Sequence, residues 1–71
     1  MLEKRSFSLS GHRTSVALEP EFWAALEQIA ARRSQPVSGL VTKLDSARSE
    51  SQPLASALRV FALLNKDSDN F

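Results

Sequence analysis

Apolar and polar residues alternate between residues 6 and 18, with one interruption. Ser6-Phe7-Ser8-Leu9-Ser10 alternates, Gly11-His12 breaks the pattern, and Arg13-Thr14-Ser15-Val16-Ala17-Leu18 resumes it. Period two marks a strand with one buried face. Thr14, Val16 and Leu18 are therefore assigned to the inside, and Arg13, Ser15 and Ala17 to the outside. The second segment is the stronger strand, because it leads straight into a helix. The first is either a second strand or a flexible arm. Ser10-Gly11-His12-Arg13 offers a hairpin turn between them, with Gly11 supplying a positive φ.

The period then changes to that of a helix. Pro20 suits a first helical turn, where its missing N–H costs nothing, and Glu21 complements the positive end of the dipole. Phe22, Leu26 and Ile29 recur at i, i+4 and i+7, with Ala25 and Ala30 beside them. Arg32 and Arg33 close this helix at its negative end, and Ser34-Gln35-Pro36 breaks it. A second helix is predicted over 38–48, with Ser38 as N-cap, Val37 packing as a staple, and Leu40, Val41 and Leu44 as the apolar stripe. A polar linker, Ser49-Glu50-Ser51-Gln52, leads to a third helix over 53–65. Leu54, Leu58 and Phe61 share one of its faces, with Val60 and Leu64 nearby. The expected division is an arm or extra strand over 1–12, a strand-helix-helix unit with its C-terminal helix over 13–65, and a polar tail over 66–71.

Size and composition narrow the options. A chain of 71 residues buries only about 60% of the surface its unfolded form exposes, so small scaffolds usually need a staple. Cysteine is absent and His12 is the sole histidine, which excludes disulfides and a multi-histidine zinc site within one chain. Oligomerisation is the staple that remains. The longest apolar run, Val60-Phe61-Ala62-Leu63-Leu64, is far too short to span a membrane. Met1-Leu2-Glu3-Lys4-Arg5 lacks the apolar core of a signal peptide, so a cytoplasmic location is expected. Formal charge is +1, from nine basic and eight acidic residues. Its distribution is uneven. Lys4, Arg5 and Arg13 are opposed in their stretch only by Glu3, while Asp67 and Asp69 lie at the other end.

A lone strand before two amphipathic helices cannot satisfy its own backbone groups. The simplest supply is the same strand of a second copy, paired antiparallel about a two-fold axis. The predicted fold is thus mainly α with a short β-ribbon, formed in a dimer. Its core is Thr14, Val16, Leu18, Phe22, Leu26, Ile29, Leu40, Val41 and Leu44. A two-stranded ribbon fits the major groove of B-form DNA.

Residues 13–44, in this strand-helix-helix order, resemble the ribbon-helix-helix superfamily of Arc and MetJ. The strings Gly11-His12-Arg13-Thr14-Ser15-Val16, Leu18-Glu19, Phe22-Trp23 and Ala55-Ser56-Ala57-Leu58-Arg59-Val60-Phe61 are similar to a subfamily of small bacterial proteins of that fold. The resemblance implies a DNA-binding homodimer acting as a transcriptional regulator or repressor, with higher oligomers forming on DNA. It places base contacts at Arg13, Ser15 and Ala17. Arg13 pairs bidentately with guanine, Ser15 donates or accepts, and Ala17 offers only an apolar contact, a departure from the usual polar third reader. It places a phosphate clamp at the start of the second helix, at Ser38, Gly39 and Leu40, with Lys4 and Arg5 adding arm-like phosphate contacts.

Competing readings remain open at several positions. Trp23 belongs to the core, to the dimer interface or to a partner site. His12 reads as a turn residue, Arg32 and Arg33 as helix-terminal charges, and the third helix as core or as a docking surface. A protein-interaction module, antitoxin-like in using the fold to dimerise, is the alternative function. A third reading has an extra strand at the ribbon's edge, making the sheet four-stranded and too wide for the groove. No paired titratable groups, glycine-rich phosphate loop or metal-ligand spacing points to an enzyme, a cofactor or a metal.

Overall fold

A computed structural model describes residues 1–65; the polar tail expected over 66–71 lies outside the described residues. The order of elements is β1 (Glu3–Leu9), β2 (His12–Leu18), α1 (Pro20–Arg32), α2 (Val37–Ala47) and α3 (Leu54–Asn65). The architecture is mainly helical with a short antiparallel ribbon, as expected, and the helix bounds fall within one residue of those read from the sequence.

The ribbon lies within one chain. β1 and β2 pair antiparallel, with Lys4 opposite Ala17, Ser6 opposite Ser15 and Ser8 opposite Arg13. The turn is centred on Ser10 and Gly11, one residue earlier than predicted, and both carry positive φ, 52° and 81°. Two consecutive left-handed residues are what a type I′ turn requires, and its twist matches that of the strands it joins. Sequence reasoning sought a second copy because β2 had no partner. β1 removes that reason for one edge of β2; the other edge has no strand beside it among the described residues.

The inner face of the ribbon follows the period-two reading. Phe7, Leu9, Val16 and Leu18 are buried, and Thr14 is half-buried. The helices close over this face. Leu26, Ile29 and Ala30 of α1, Leu40 and Val41 of α2, and Leu54, Leu58 and Ala62 of α3 complete one core. Leu44 and Phe61 pack at its margin.

One core assignment is corrected. Phe22 was the expected core aromatic, but it is half-buried, whereas Trp23 is 1% exposed. The buried stripe of α1 is phased on Trp23, Leu26, Ile29 and Ala30. Position 23 therefore meets the ribbon, where the Trp23 Nε1–H donates to the Glu3 carbonyl at 2.7 Å and the ring lies 5.9 Å from that of Phe7. Phe22 turns towards α3, with the Arg59 guanidinium 5.8 Å from its centroid.

The helix ends have local causes. The Glu19 carbonyl accepts from the Phe22 and Trp23 amides to start α1. At the other end Ser34 sits at φ 55°, its N–H donating to the Ala31 carbonyl and that of Gln35 to the Ala30 carbonyl. This is the Schellman pattern with serine at the position glycine usually takes. Between α2 and α3, Arg48 gathers the linker: it pairs with Asp45 at 3.0 Å and donates to the carbonyls of Ser49 and Gln52.

Candidate nucleic-acid interface

Because opposed residues in an antiparallel pair point to the same side, the register assembles one outward face from both strands. β1 contributes Lys4, Ser6 and Ser8, and β2 contributes Arg13, Ser15 and Ala17. All are exposed except Ala17, which is half-buried. Three rungs at two-residue intervals run for about 13 Å along the strands, the length of roughly four stacked base pairs.

Polar groups dominate this face. The Ser6 and Ser15 hydroxyls are 3.2 Å apart, and an Arg13 Nη1–H donates to the Ser8 hydroxyl at 3.3 Å. The latter contact is long and surrounded by solvent, so it orients the guanidinium without tying it down. The face holds two cations and no carboxylate. Neither Lys4 nor Arg13 takes part in the ion pairs among the described residues, which engage Arg5, Arg48 and Arg59.

The register also separates two residues that the sequence had grouped. Lys4 faces outward, whereas Arg5 faces inward opposite Val16. The Arg5 guanidinium stacks 4.7 Å from the Trp23 ring centroid and bonds Glu3 and Glu27, each at 2.8 Å. Those hydrogen bonds, to Glu3 first and then Glu27, raise its pKa further and keep it charged. Arg5 thus anchors β1 to α1 beneath the ribbon, on the side away from the outward face.

At the start of α2 the N-cap is Pro36 instead of Ser38, with no side-chain capping bond. The physical reason is that Pro36, extended at ψ 159°, already presents the carbonyl that accepts from the Gly39 and Leu40 amides. Ser38 lies in the first turn, exposed, and its carbonyl accepts from the Thr42 hydroxyl. A Cβ on Gly39 would sit 3.4 Å from the Gln35 Oε1, so the Gln35 side chain shares this approach. Leu40, the third residue expected at the clamp, turns its side chain into the core at 1% exposure.

Ser6 and Ser8 are the residues of the outward face that sequence reasoning did not assign. Their signal was present in the alternation over 6–10. The pairing partner was missing, and without it their face was undefined. The His12 side chain lies on the inner side of the ribbon at its tip, opposite Leu9, and is exposed.

A second exposed feature is apolar. Val60, Leu63 and Leu64 project from α3, at 46, 64 and 74% exposure. Two shallow grooves flank them, one reaching Leu44, Ala47 and Phe61, the other reaching Phe22, Ala25 and Ala62. No helix among the described residues is long and apolar enough to cross a membrane.

A family model described as a ribbon-helix-helix domain matches residues 2–65, and so includes β1 as well as the strand-helix-helix unit. No curated protein and no solved structure matches the chain.

Proposed function

The chain belongs to the ribbon-helix-helix domain family, a DNA-binding and regulatory fold, and from that premise we propose that it is a transcriptional regulator that lays its β-ribbon in the major groove. The observation that carries this reading is the outward face itself. Lys4 and Arg13 place two unneutralised cations there, and Ser6, Ser8 and Ser15 place hydroxyls between them. A face of hydroxyls framed by cations matches the alternating donors and acceptors of base edges between two lines of phosphate.

Arg13 is the principal reader in this proposal, bidentate to guanine, with Ser15 beside it and Ala17 against a thymine methyl. Lys4 holds a flanking phosphate. The amide and hydroxyl of Ser38 in the first turn of α2 clamp another, with the helix dipole behind them. Acting as a homodimer in the cytoplasm, the protein represses where its two half-sites overlap a promoter.

The test is selection from a random duplex library at moderate salt, followed by gel shift. Enrichment of a two-fold-related motif, lost in Arg13→Ala with the melting temperature unchanged, is the expected result. If Arg13→Ala enriches the same motif with the same affinity, ribbon reading is wrong. The face formed by Val60, Leu63 and Leu64 favours a second reading, a module that engages another protein. Absence of DNA binding at any salt, together with one stoichiometric protein partner lost in Leu64→Glu, would replace the first reading by the second.

A further inference from the structure

We propose that β1 is a phosphate-binding strand: in the dimer it forms the outer strand of a four-stranded sheet, and its Lys4, Ser6 and Ser8 lie on the sugar-phosphate ridges that border the major groove, not inside it. This role rests on the DNA-binding reading above and gives β1 a ligand of its own.

β1 is a fixed part of the sheet. Phe7 and Leu9 are buried in the core, the Glu3 carbonyl accepts from Trp23, and Arg5 ties the strand to Glu27 of α1. β1 therefore holds one edge of β2, and a second copy can reach only the other. That edge is open to one. β2 pairs residue for residue with β1 from His12 to Leu18 and contains no proline or lysine, so it lacks the bulge, proline or lysine with which edge strands avoid pairing. A two-residue turn closes on a hydrogen-bonded pair, here Leu9 and His12, and bonded positions alternate along an antiparallel ladder. Arg13, Ser15 and Ala17 consequently turn their N–H and C=O groups to the open edge. A second copy of β2, antiparallel about a two-fold axis at Ser15, meets all three. The sheet of the dimer then has the order β1-β2-β2-β1.

Width separates the roles of these strands. Adjacent strands lie about 4.8 Å apart, so the two central β2 strands fit a major groove about 12 Å wide. The two β1 strands stand about 14 Å apart, three spacings, before their side chains are added. They are too far apart to enter the groove together, and they come to rest on its borders, where the phosphates are.

The outward face of β1 suits that position. Lys4, Ser6 and Ser8 supply a cation and two hydroxyls, all exposed, and such groups bind phosphate oxygens without regard to sequence. Serine is short, so the strand approaches the ridge closely while β2 still reaches into the groove. The Ser8 hydroxyl accepts from Arg13 and keeps its own proton for a phosphate oxygen. The carboxylates of Glu3 and Glu27 are bonded to Arg5 on the side away from this face, where they do not oppose an anion.

Two experiments test the proposal, and their failures are distinguishable. The chain has no native cysteine, so single cysteines report which strands meet between copies, on a denaturing, non-reducing gel after oxidation. Ser15→Cys should give a covalent dimer, since opposed Cα atoms of a bonded pair lie about 5.5 Å apart, within disulfide reach. Ser6→Cys, about 14 Å from its symmetry mate, should remain monomeric on the gel. Cross-linking through Ser6→Cys, or none through Ser15→Cys, would overturn the four-stranded sheet. Separately, binding of Lys4→Ala and Ser6→Ala to selected and unrelated duplexes is measured across a salt series. Lys4→Ala should reduce the slope of log K against log salt by about 2, from one phosphate per copy at about 0.9 each. It should weaken both duplexes alike and leave the selected motif unchanged. Ser6→Ala should weaken both roughly tenfold, from two hydrogen bonds per dimer. An unchanged salt slope in Lys4→Ala, or a motif altered by Ser6→Ala, refutes phosphate contact by β1. If the motif is still lost in Arg13→Ala, DNA reading then stands without β1; a protein that binds neither duplex removes both readings.

Discussion

Trp23→Phe is the substitution that most directly probes how the ribbon is seated. The indole is 1% exposed and bonds the Glu3 carbonyl at 2.7 Å. It also stacks under Arg5 and contacts Phe7. Phenylalanine keeps the aromatic face but removes the N–H and the volume of the second ring. The lost hydrogen bond and the partly collapsed cavity together cost about 2 kcal/mol, against about 3–5 kcal/mol for Trp23→Ala. A chain of this size has roughly 4–11 kcal/mol of total stability. The milder change should therefore lower the melting temperature by about 8–16 °C. Urea unfolding followed by far-UV circular dichroism is the assay, because the substitution removes the chain's single tryptophan and with it the fluorescence signal. A loss below about 0.5 kcal/mol, the range of an ordinary surface change, would refute the claim that this side chain fastens β1 to α1.

Three further outcomes follow from the backbone and the charges. Ser34→Gly should raise stability by about 0.5–1 kcal/mol in the same unfolding assay, because glycine relieves the left-handed φ of 55° at the end of α1 at only a modest entropic cost. Ser10→Asn should also stabilise, by a few tenths to about 1 kcal/mol, since Asn-Gly is the preferred pair for a type I′ turn; a loss of stability would argue against that turn. Arg59, bonded at 3.0 Å, holds the Glu19 carboxyl below the ordinary carboxylate range. A carboxylate depressed in the folded chain stabilises the fold above its unfolded pKa, and that contribution is lost as pH falls through its folded pKa. Glu19→Gln should accordingly flatten the acid limb of a stability profile measured from neutral pH downward, and an unchanged limb would count against the pair.

The sequence by itself determined those features that depend on local periodicity and local chemistry. Alternation over residues 13–18 set Val16 and Leu18 inward and Arg13 and Ser15 outward, since side chains on a strand have no other choice once one face is buried. Pro20, Arg33, Pro36 and the Ser49-Gln52 linker marked the helix ends closely, because proline geometry and turn chemistry act over a few residues. The family was legible in the order of these elements. Tertiary structure decided what local pattern leaves degenerate. β2 could equally have paired with its own β1 or with a second copy, because both offer a backbone edge with the same hydrogen-bonding groups. The two-residue turn at Ser10-Gly11 and the anchoring of β1 by Trp23 and Arg5 fill one edge of β2 from within the chain. Phe22 and Trp23 are neighbours on a helix, and a rotation of one residue exchanges which is buried; only the position of α1 against the ribbon resolves it. Lys4 and Arg5 are adjacent cations in the sequence. They face opposite sides of a strand, and the register alone determines that one meets the outside while the other stacks on an indole.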